Sequence, residues 1–321
     1  MVRFVLALAA LLSSLPGFVH AALPPVPAPA QVAHRHVQVG DVEVFYREAG
    51  ERGAPTVLLL HGFAASSYMY RDVIAALADR YHVVAPDLPA FGYTRSPPRG
   101  QYAYTFDNLT GTIDAFTRQL GLERFALVVH DYGAPVGWRL ALRDPARITA
   151  IVSQNGNAYE EGLGAGWEPI QRYWQSPTAE HRAALSDFPT PASIRWQYLE
   201  GVRDPASVAP DGYTLEGMQV LRPGNAEIQL DLLLDYASNV ALYPQFQRYF
   251  REHAPPLLAV WGEHDPFFLP AGALAWKRDI PDARIALYDT GHFALETHAA
   301  QIIPQIREFL DQHLHPAATR D

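Results

Sequence analysis

Residues Phe125 to Ala134 read FALVVHDYGA. The run Phe125 to Val129 is unbroken apolar sequence, as expected for a short strand buried on both faces. It stops at His130-Asp131, and a helical pattern begins at about Ala134 and runs to Arg143. A strand that bends sharply into a helix is the setting of a nucleophile elbow. The crowded turn needs small residues, which Gly133 and Ala134 supply. The usual centre of such an elbow is the serine of G-x-S-x-G. No G-x-S-x-G occurs in this chain, and the central position holds Asp131. A carboxylate is ionised at neutral pH, needs no base to activate it, and can attack an sp³ carbon to form an alkyl-enzyme ester. A base is needed only afterwards, to turn water against that ester. The plain alternative is that Asp131 caps the following helix.

Outward from this segment the same alternation repeats. Val37 to Val39 and Val42 to Tyr46 flank Gly40-Asp41 as an opening hairpin. Apolar runs at Thr56–Leu60, His82–Pro86, Ile148–Val152, Leu257–Val260 and Ile285–Tyr288 predict strands. Helical patterns lie at about Tyr68–Arg80, Phe106–Leu120 and Glu296–Leu314. The order predicts an α/β protein with a mostly parallel, doubly wound sheet. Chemistry in such sheets gathers at the carboxyl ends of the strands, and His61, Asp131, Asp265 and His292 each follow a predicted strand. The alternation fails between about Asn157 and Ala254, a stretch rich in aromatic residues and prolines. It reads as a helical lid over residues 157–254, inserted into a main domain of residues 23–156 and 255–321.

Three further motifs complete a possible machine. Asp289-Thr290-Gly291-His292-Phe293 places a histidine on a short loop late in the chain, suited to act as the base, although a lone histidine is more often packing. Trp261-Gly262-Glu263-His264-Asp265-Pro266 offers Asp265 to hold the His292 tautomer and offset its charge; its bland reading is a turn aspartate before proline. In Leu60-His61-Gly62-Phe63 the glycine admits close backbone approach. The amides of Phe63 and Tyr132 would then form an oxyanion hole, with His61 structural. A metal site from His130, Asp131, His264 and Asp265 is disfavoured, because adjacent residues on a turn point apart.

These motifs, with Ala85-Pro86-Asp87-Leu88-Pro89 and Gly92, resemble the α/β-hydrolase superfamily, and within it the aspartate-nucleophile branch of epoxide hydrolases and haloalkane dehalogenases. The resemblance runs from about Val37 to Leu314 and is weakest in the lid. It implies Asp131 as nucleophile, His292 as water-activating base and Asp265 as charge partner. Epoxide hydrolases protonate the opening ring oxygen, usually with two lid tyrosines, for which Tyr236 and Tyr173 are the candidates here. Dehalogenases commonly hold halide with a tryptophan after the nucleophile plus either a lid tryptophan or an asparagine in the His-Gly loop. This chain has Tyr132 and Phe63-Ala64 at those places. An exported epoxide hydrolase is therefore the main expectation. A haloalkane or haloacid dehalogenase is the alternative, with Trp167, Trp174 or Trp196 as halide donor. A catalytically idle scaffold used for binding is the reading from another class. Three positions depart from the usual pattern. Ala64 stands where epoxide hydrolases carry proline, Val129 where a smaller residue is usual, and Ser153 to Asn157 lack the carboxylate some relatives place there.

Composition bounds the remainder. The chain has 321 residues, 49% hydrophobic and 18% charged, with net charge -9. That describes a folded globular protein. Its arginines are scattered, which argues against nucleic acid as partner. It has no cysteine, excluding disulfides and a thiol nucleophile. No dinucleotide fingerprint or P-loop occurs, so no cofactor is expected. Met1-Val2-Arg3, the apolar run Phe4–Leu12 and Val19-His20-Ala21 form the three-part pattern of a signal peptide over residues 1–22. The expectation is cleavage after Ala21 or Ala22 and a periplasmic or secreted protein without stable membrane insertion. The aromatic lid suggests a small apolar organic substrate, with water as co-substrate.

Overall fold

The computed structural model describes residues 31–314. The expected signal peptide lies outside the described residues.

Eight strands form one sheet: β1 (Ala33–Val39), β2 (Val42–Ala49), β3 (Thr56–Leu60), β4 (His82–Pro86), β5 (Phe125–His130), β6 (Ile148–Gln154), β7 (Leu257–Gly262) and β8 (Arg284–Tyr288). Their order is β1-β2-β4-β3-β5-β6-β7-β8. β1 and β2 are antiparallel to each other, and β2 is antiparallel to β4; all other pairs are parallel. The apolar runs become strands because both faces of the central sheet are covered by helices. β4, β5 and β7 are buried along their whole length. β1 begins four residues before the expected Val37. It lies at the sheet edge, where one paired side suffices, so His34, Arg35 and His36 enter the strand without apolar alternation.

Helices α1 (Arg71–Leu77), α2 (Phe106–Gln119) and α3 (Gly133–Arg143) follow β3, β4 and β5. The start of the first expected helix is a 3₁₀ turn, Ser67–Tyr70, capped by the Ser66 hydroxyl on the Tyr68 amide. Between β6 and β7 the regular structure is helical: α4 (Glu168–Gln175), α5 (Ala179–Ala183), α6 (Pro191–Leu199), α7 (Pro210–Val220), α8 (Asn225–Asp235) and α9 (Ala237–His253). α10 (Pro270–Asp279) and α11 (Ala294–Leu314) complete the chain. Among the described residues no helix is long and apolar enough to cross a membrane.

Strand register is what assembles the site. Leu60 pairs with Val129, His130 with Gln154, Gln154 with Val260, and Gly262 with Tyr288. The carboxyl ends of β3, β5, β6, β7 and β8 therefore lie level, and the loops leaving them meet above one edge. One buried apolar cluster runs through the sheet, its covering helices and the inner side of the insertion.

Candidate active site

Asp131 stands at the bend between β5 and α3 with φ of +47°. That region is costly for a side chain with a Cβ, on the order of 1–2 kcal/mol. The bend survives because its neighbours are small. A Cβ on Gly133 would lie 2.0 Å from the Leu60 carbonyl oxygen, and one on Gly62 would lie 2.3 Å from Asp131 Oδ1. The carboxylate does not cap its own helix. Oδ1 accepts a 2.6 Å hydrogen bond from the Phe63 amide on the β3 loop, and the Tyr132 amide adds a second donor. The two expected oxyanion donors thus both meet this carboxylate, with Ala64 in place of proline leaving the Phe63 contact intact.

The other oxygen, Oδ2, faces His292 Nε2 at 3.8 Å, too long for a direct hydrogen bond. His292 Nδ1 donates to Asp265 Oδ2 at 2.7 Å. The tautomer follows because an ionised Asp265 can only accept. Asp265 is held in turn: Oδ1 accepts from the Phe267 and Phe268 amides, and Oδ2 also accepts from Asn155 Nδ2 at 2.7 Å. Asn155 lies just after β6, where its Oδ1 accepts from the Gly262 amide. The absence of a carboxylate there had pointed to Asp265; the structure adds that an amide at that place orients it. Asn155 was not singled out from sequence, and only its position after a strand could have signalled it.

All three groups are buried. Burial pushes Asp131 up to about 6, opposed by His292 and the Phe63 and Tyr132 amides. Burial pulls His292 down, but Asp265 and Asp131 outweigh it and leave the imidazole above its ordinary value. A buried carboxylate with a raised pKa beside an imidazole whose own is raised by carboxylate neighbours is the pattern of functional pKa tuning.

Aromatic rings wall the site. Phe63 stacks on Phe188 at 4.8 Å, Tyr132 meets Phe106 at 4.9 Å, and Trp167 lies 4.4 Å from Tyr236. Tyr236 is fully buried, sees the charge of Asp131, and shares a hydrogen bond with Tyr243, whose hydroxyl also accepts from Asn157 Nδ2 at 3.2 Å. Tyr173 is not brought to this group. Its hydroxyl accepts from Arg182, which belongs to an ion-pair group with Glu227 and Asp231. The expectation for Tyr173 is corrected on that ground, because α4 turns its hydroxyl toward α5 and α8. The Tyr132 hydroxyl, by contrast, is buried with no protein partner.

The tryptophans are committed elsewhere. Trp167 Nε1 donates to the Phe267 carbonyl at 3.0 Å and Trp174 Nε1 to the Leu233 carbonyl at 2.7 Å, while Trp196 is exposed. His61 is structural: Nε2 accepts from the Leu88 amide and Nδ1 donates to the Gly62 carbonyl. His264 turns outward to Asp289 at 2.8 Å and so does not join His130 and Asp131. Among the described residues no group of three or more His, Asp or Glu side chains could share a metal ion.

Comparisons with known proteins agree with this fold. A family model described as the alpha/beta hydrolase fold matches residues 55–299. An uncharacterised hydrolase of Saccharomyces cerevisiae is 47% identical over 84% of this chain and 94% of its own. Epoxide hydrolase A of Mycobacterium tuberculosis is 40% identical over 59% of each chain. Haloalkane dehalogenase 2 of Mycobacterium bovis is 27% identical over 80% of this chain and 88% of its own.

Proposed function

We propose, from the premise that this chain belongs to the α/β hydrolase fold family as an epoxide hydrolase- and dehalogenase-like hydrolase, that it opens epoxides through an ester on Asp131. The observation that carries this is the division of labour between the two Asp131 oxygens. Oδ1 is held by the Phe63 amide at 2.6 Å, the Tyr132 amide is a further donor to the carboxylate, and Oδ2 faces His292 Nε2 at 3.8 Å.

In the first step Oδ2 attacks a ring carbon, the carbon–oxygen bond of the ring breaks, and the ring oxygen takes a proton from Tyr236. The Tyr132 hydroxyl, buried and unpartnered, is a second donor for that oxygen. Tyr243 holds the Tyr236 hydroxyl in place. In the second step His292 Nε2 takes a proton from water, and the oxygen adds to Cγ of the ester. Negative charge builds on Oδ1, where the Phe63 amide already points, as preorganised stabilisation requires. The Cγ–Oδ2 bond breaks as the His292 imidazolium gives its one proton to the departing diol oxygen, and the proton left on the regenerated Asp131 carboxyl returns to the Tyr236 phenolate. Asp265 holds the Nδ1–H tautomer, which leaves Nε2 as the lone-pair nitrogen of the neutral ring, and stabilises the imidazolium when it forms.

The committed indoles of Trp167 and Trp174 count against a halide cradle, so the dehalogenase reading stands second. The signal-like N-terminus supports action outside the cytoplasm; the mass of the protein recovered from the periplasm or medium tests it, with loss of residues 1–22 expected.

A single turnover in heavy-oxygen water, with enzyme in excess over an aryl epoxide, tests the chemistry. The first diol should carry ordinary oxygen, and the label should enter Asp131. Label in the first diol would mean direct attack by water and would remove the nucleophile.

A further inference from the structure

Away from the catalytic group, the antiparallel pairing of β1 and β2 places His34 beside Arg47 and His36 beside Phe45 on one face of the hairpin. The segment carrying Tyr93 and Arg95 runs alongside, tied by the two-way backbone bridge between Glu43 and Arg95. Arg222 closes the groove from the end of α7. The open groove has a volume of about 490 Å³.

The charge inside is uncompensated. Most guanidiniums of this acidic protein sit on carboxylates, as Arg35 and Arg52 do on Glu48 and Arg71 on Glu296. Arg47 instead donates to the Ser67 hydroxyl at 3.1 Å and to His34 Nε2 at 2.7 Å. Arg222 donates to the Gln219 carbonyl at 3.1 Å. Among the described residues neither guanidinium lies within 4.0 Å of a carboxylate oxygen. Arg95 alone has a partner, Glu43 at 2.7 Å. His34 must accept from Arg47, so its ring is neutral there, and burial and the neighbouring charge lower its pKa.

Two acids sit behind this wall. Asp87 spends its oxygens on the Ser67 and Tyr93 amides. Glu216 accepts from Ser66 Oγ at 2.6 Å, and burial pushes it up to about 8, so at neutral pH it is mostly uncharged and leaves Arg222 without a counter-ion. The floor of the groove is aromatic. Phe45 and Tyr93 lie 5.2 Å apart, His36 meets Phe45 edge-on at 5.2 Å, and Arg47 lies 5.5 Å from the Phe45 ring. Tyr93 is half exposed.

We infer that this groove is a second ligand site, for a soluble organic anion with a planar apolar body, such as an aromatic carboxylate. Arg47 and Arg222 take the anionic group, and Tyr93 takes the ring against the edge of buried Phe45. A guanidinium matches a carboxylate with paired donors, and a planar group can stack on the half-exposed Tyr93 ring, with buried Phe45 forming the floor beneath it. The site is separate from Asp131 and does not depend on the hydrolytic reading.

Benzoate is the probe and benzamide its uncharged control, titrated calorimetrically and by the ring-proton shifts of His34 and His36. Benzoate should bind saturably and move both histidines, and benzamide should bind at least about tenfold more weakly. Arg222→Gln, at a half-buried position on the insertion, should weaken benzoate by at least about tenfold and leave hydrolysis unchanged. Arg47→Gln should do the same. Equal binding of benzamide, or undiminished benzoate binding in folded Arg222→Gln, would overturn the site. Sedimentation with phosphatidylglycerol vesicles is the third measurement. Vesicle binding that needs Arg47 and Arg222, in a protein that ignores benzoate, would overturn the soluble ligand in favour of a membrane surface.

Discussion

Replacing His292 with glutamine separates the two halves of the proposed reaction. Ester formation needs only an ionised Asp131 and a proton donor for the ring oxygen. Ester hydrolysis needs a base in front of Oδ2, and His292 Nε2, 3.8 Å away, occupies that place with Asp265 directly behind it. Loss of a positioned general base typically costs a factor of about 10²–10⁴, or roughly 2.7–5.5 kcal/mol of barrier. Steady-state turnover should fall by that factor. The alkylation rate should stay within about tenfold, since its groups are untouched. The variant also loses the imidazole that helps hold Asp131 ionised, so its carboxyl shifts further upward from about 6. Trapping is therefore done at pH 8 or above, where the nucleophile stays ionised. Intact-protein mass spectrometry after mixing with an epoxide should show one equivalent of added epoxide, mapped by digestion to Asp131. Normal turnover by the variant, or no adduct on Asp131 from a compound the parent enzyme hydrolyses, would refute the assignment of both residues.

The pH profile follows from the same two groups. Asp131 attacks only when deprotonated, with its pKa raised to about 6, and His292 acts only as free base, with its own raised as well. Activity should therefore rise from acid pH with a limiting slope of about two protons and level off above neutrality; undiminished rates at pH 5 would contradict it. Tyr132→Phe removes a buried hydroxyl that has no partner. Denaturant unfolding should show stability unchanged or higher by about 1 kcal/mol, while alkylation slows by about tenfold or more; equal alkylation rates would exclude that hydroxyl from ring opening. Glu216 has its folded-state pKa raised from 4.5 to about 8, so the parent protein loses stability as pH rises through that window. Glu216→Gln should flatten the loss, an effect of at most roughly 5 kcal/mol, read from urea melts at pH 5 and pH 8; parallel pH dependence would rule it out.

The sheet was legible because its strands are buried on both faces. Thr56–Leu60, His82–Pro86 and Phe125–Val129 can be little else once helical patterns separate them, and each appears at its expected place. β1 was read short, since an edge strand with His34, Arg35 and His36 carries no apolar signature. The geometry of Asp131, His292 and Asp265 was legible through position, each residue closing a strand-to-loop junction. The insertion was not. A tyrosine on an aromatic helix gives no sign of where its hydroxyl points, so Tyr173 and Tyr243 could not be told apart until Arg182 and Asn157 were seen as their partners. Asn155 was hidden for a related reason: its role lies in what it donates to across about a hundred residues of sequence.

That separation has a consequence for how such a molecule can change. β6 and β7 are neighbours in the sheet, although about a hundred residues intervene between them. Closing a flexible loop of that size costs little more than closing one half as long, about 0.6 kcal/mol per doubling. Length in the insertion is thus under weak thermodynamic pressure. Helices over the site can be lengthened, shed or replaced with small effect on whether the strands find each other. The catalytic floor, pinned to strand ends in fixed register, has no such latitude. Descendants of this chain would be expected to diverge in what they accept long before they diverge in how they react.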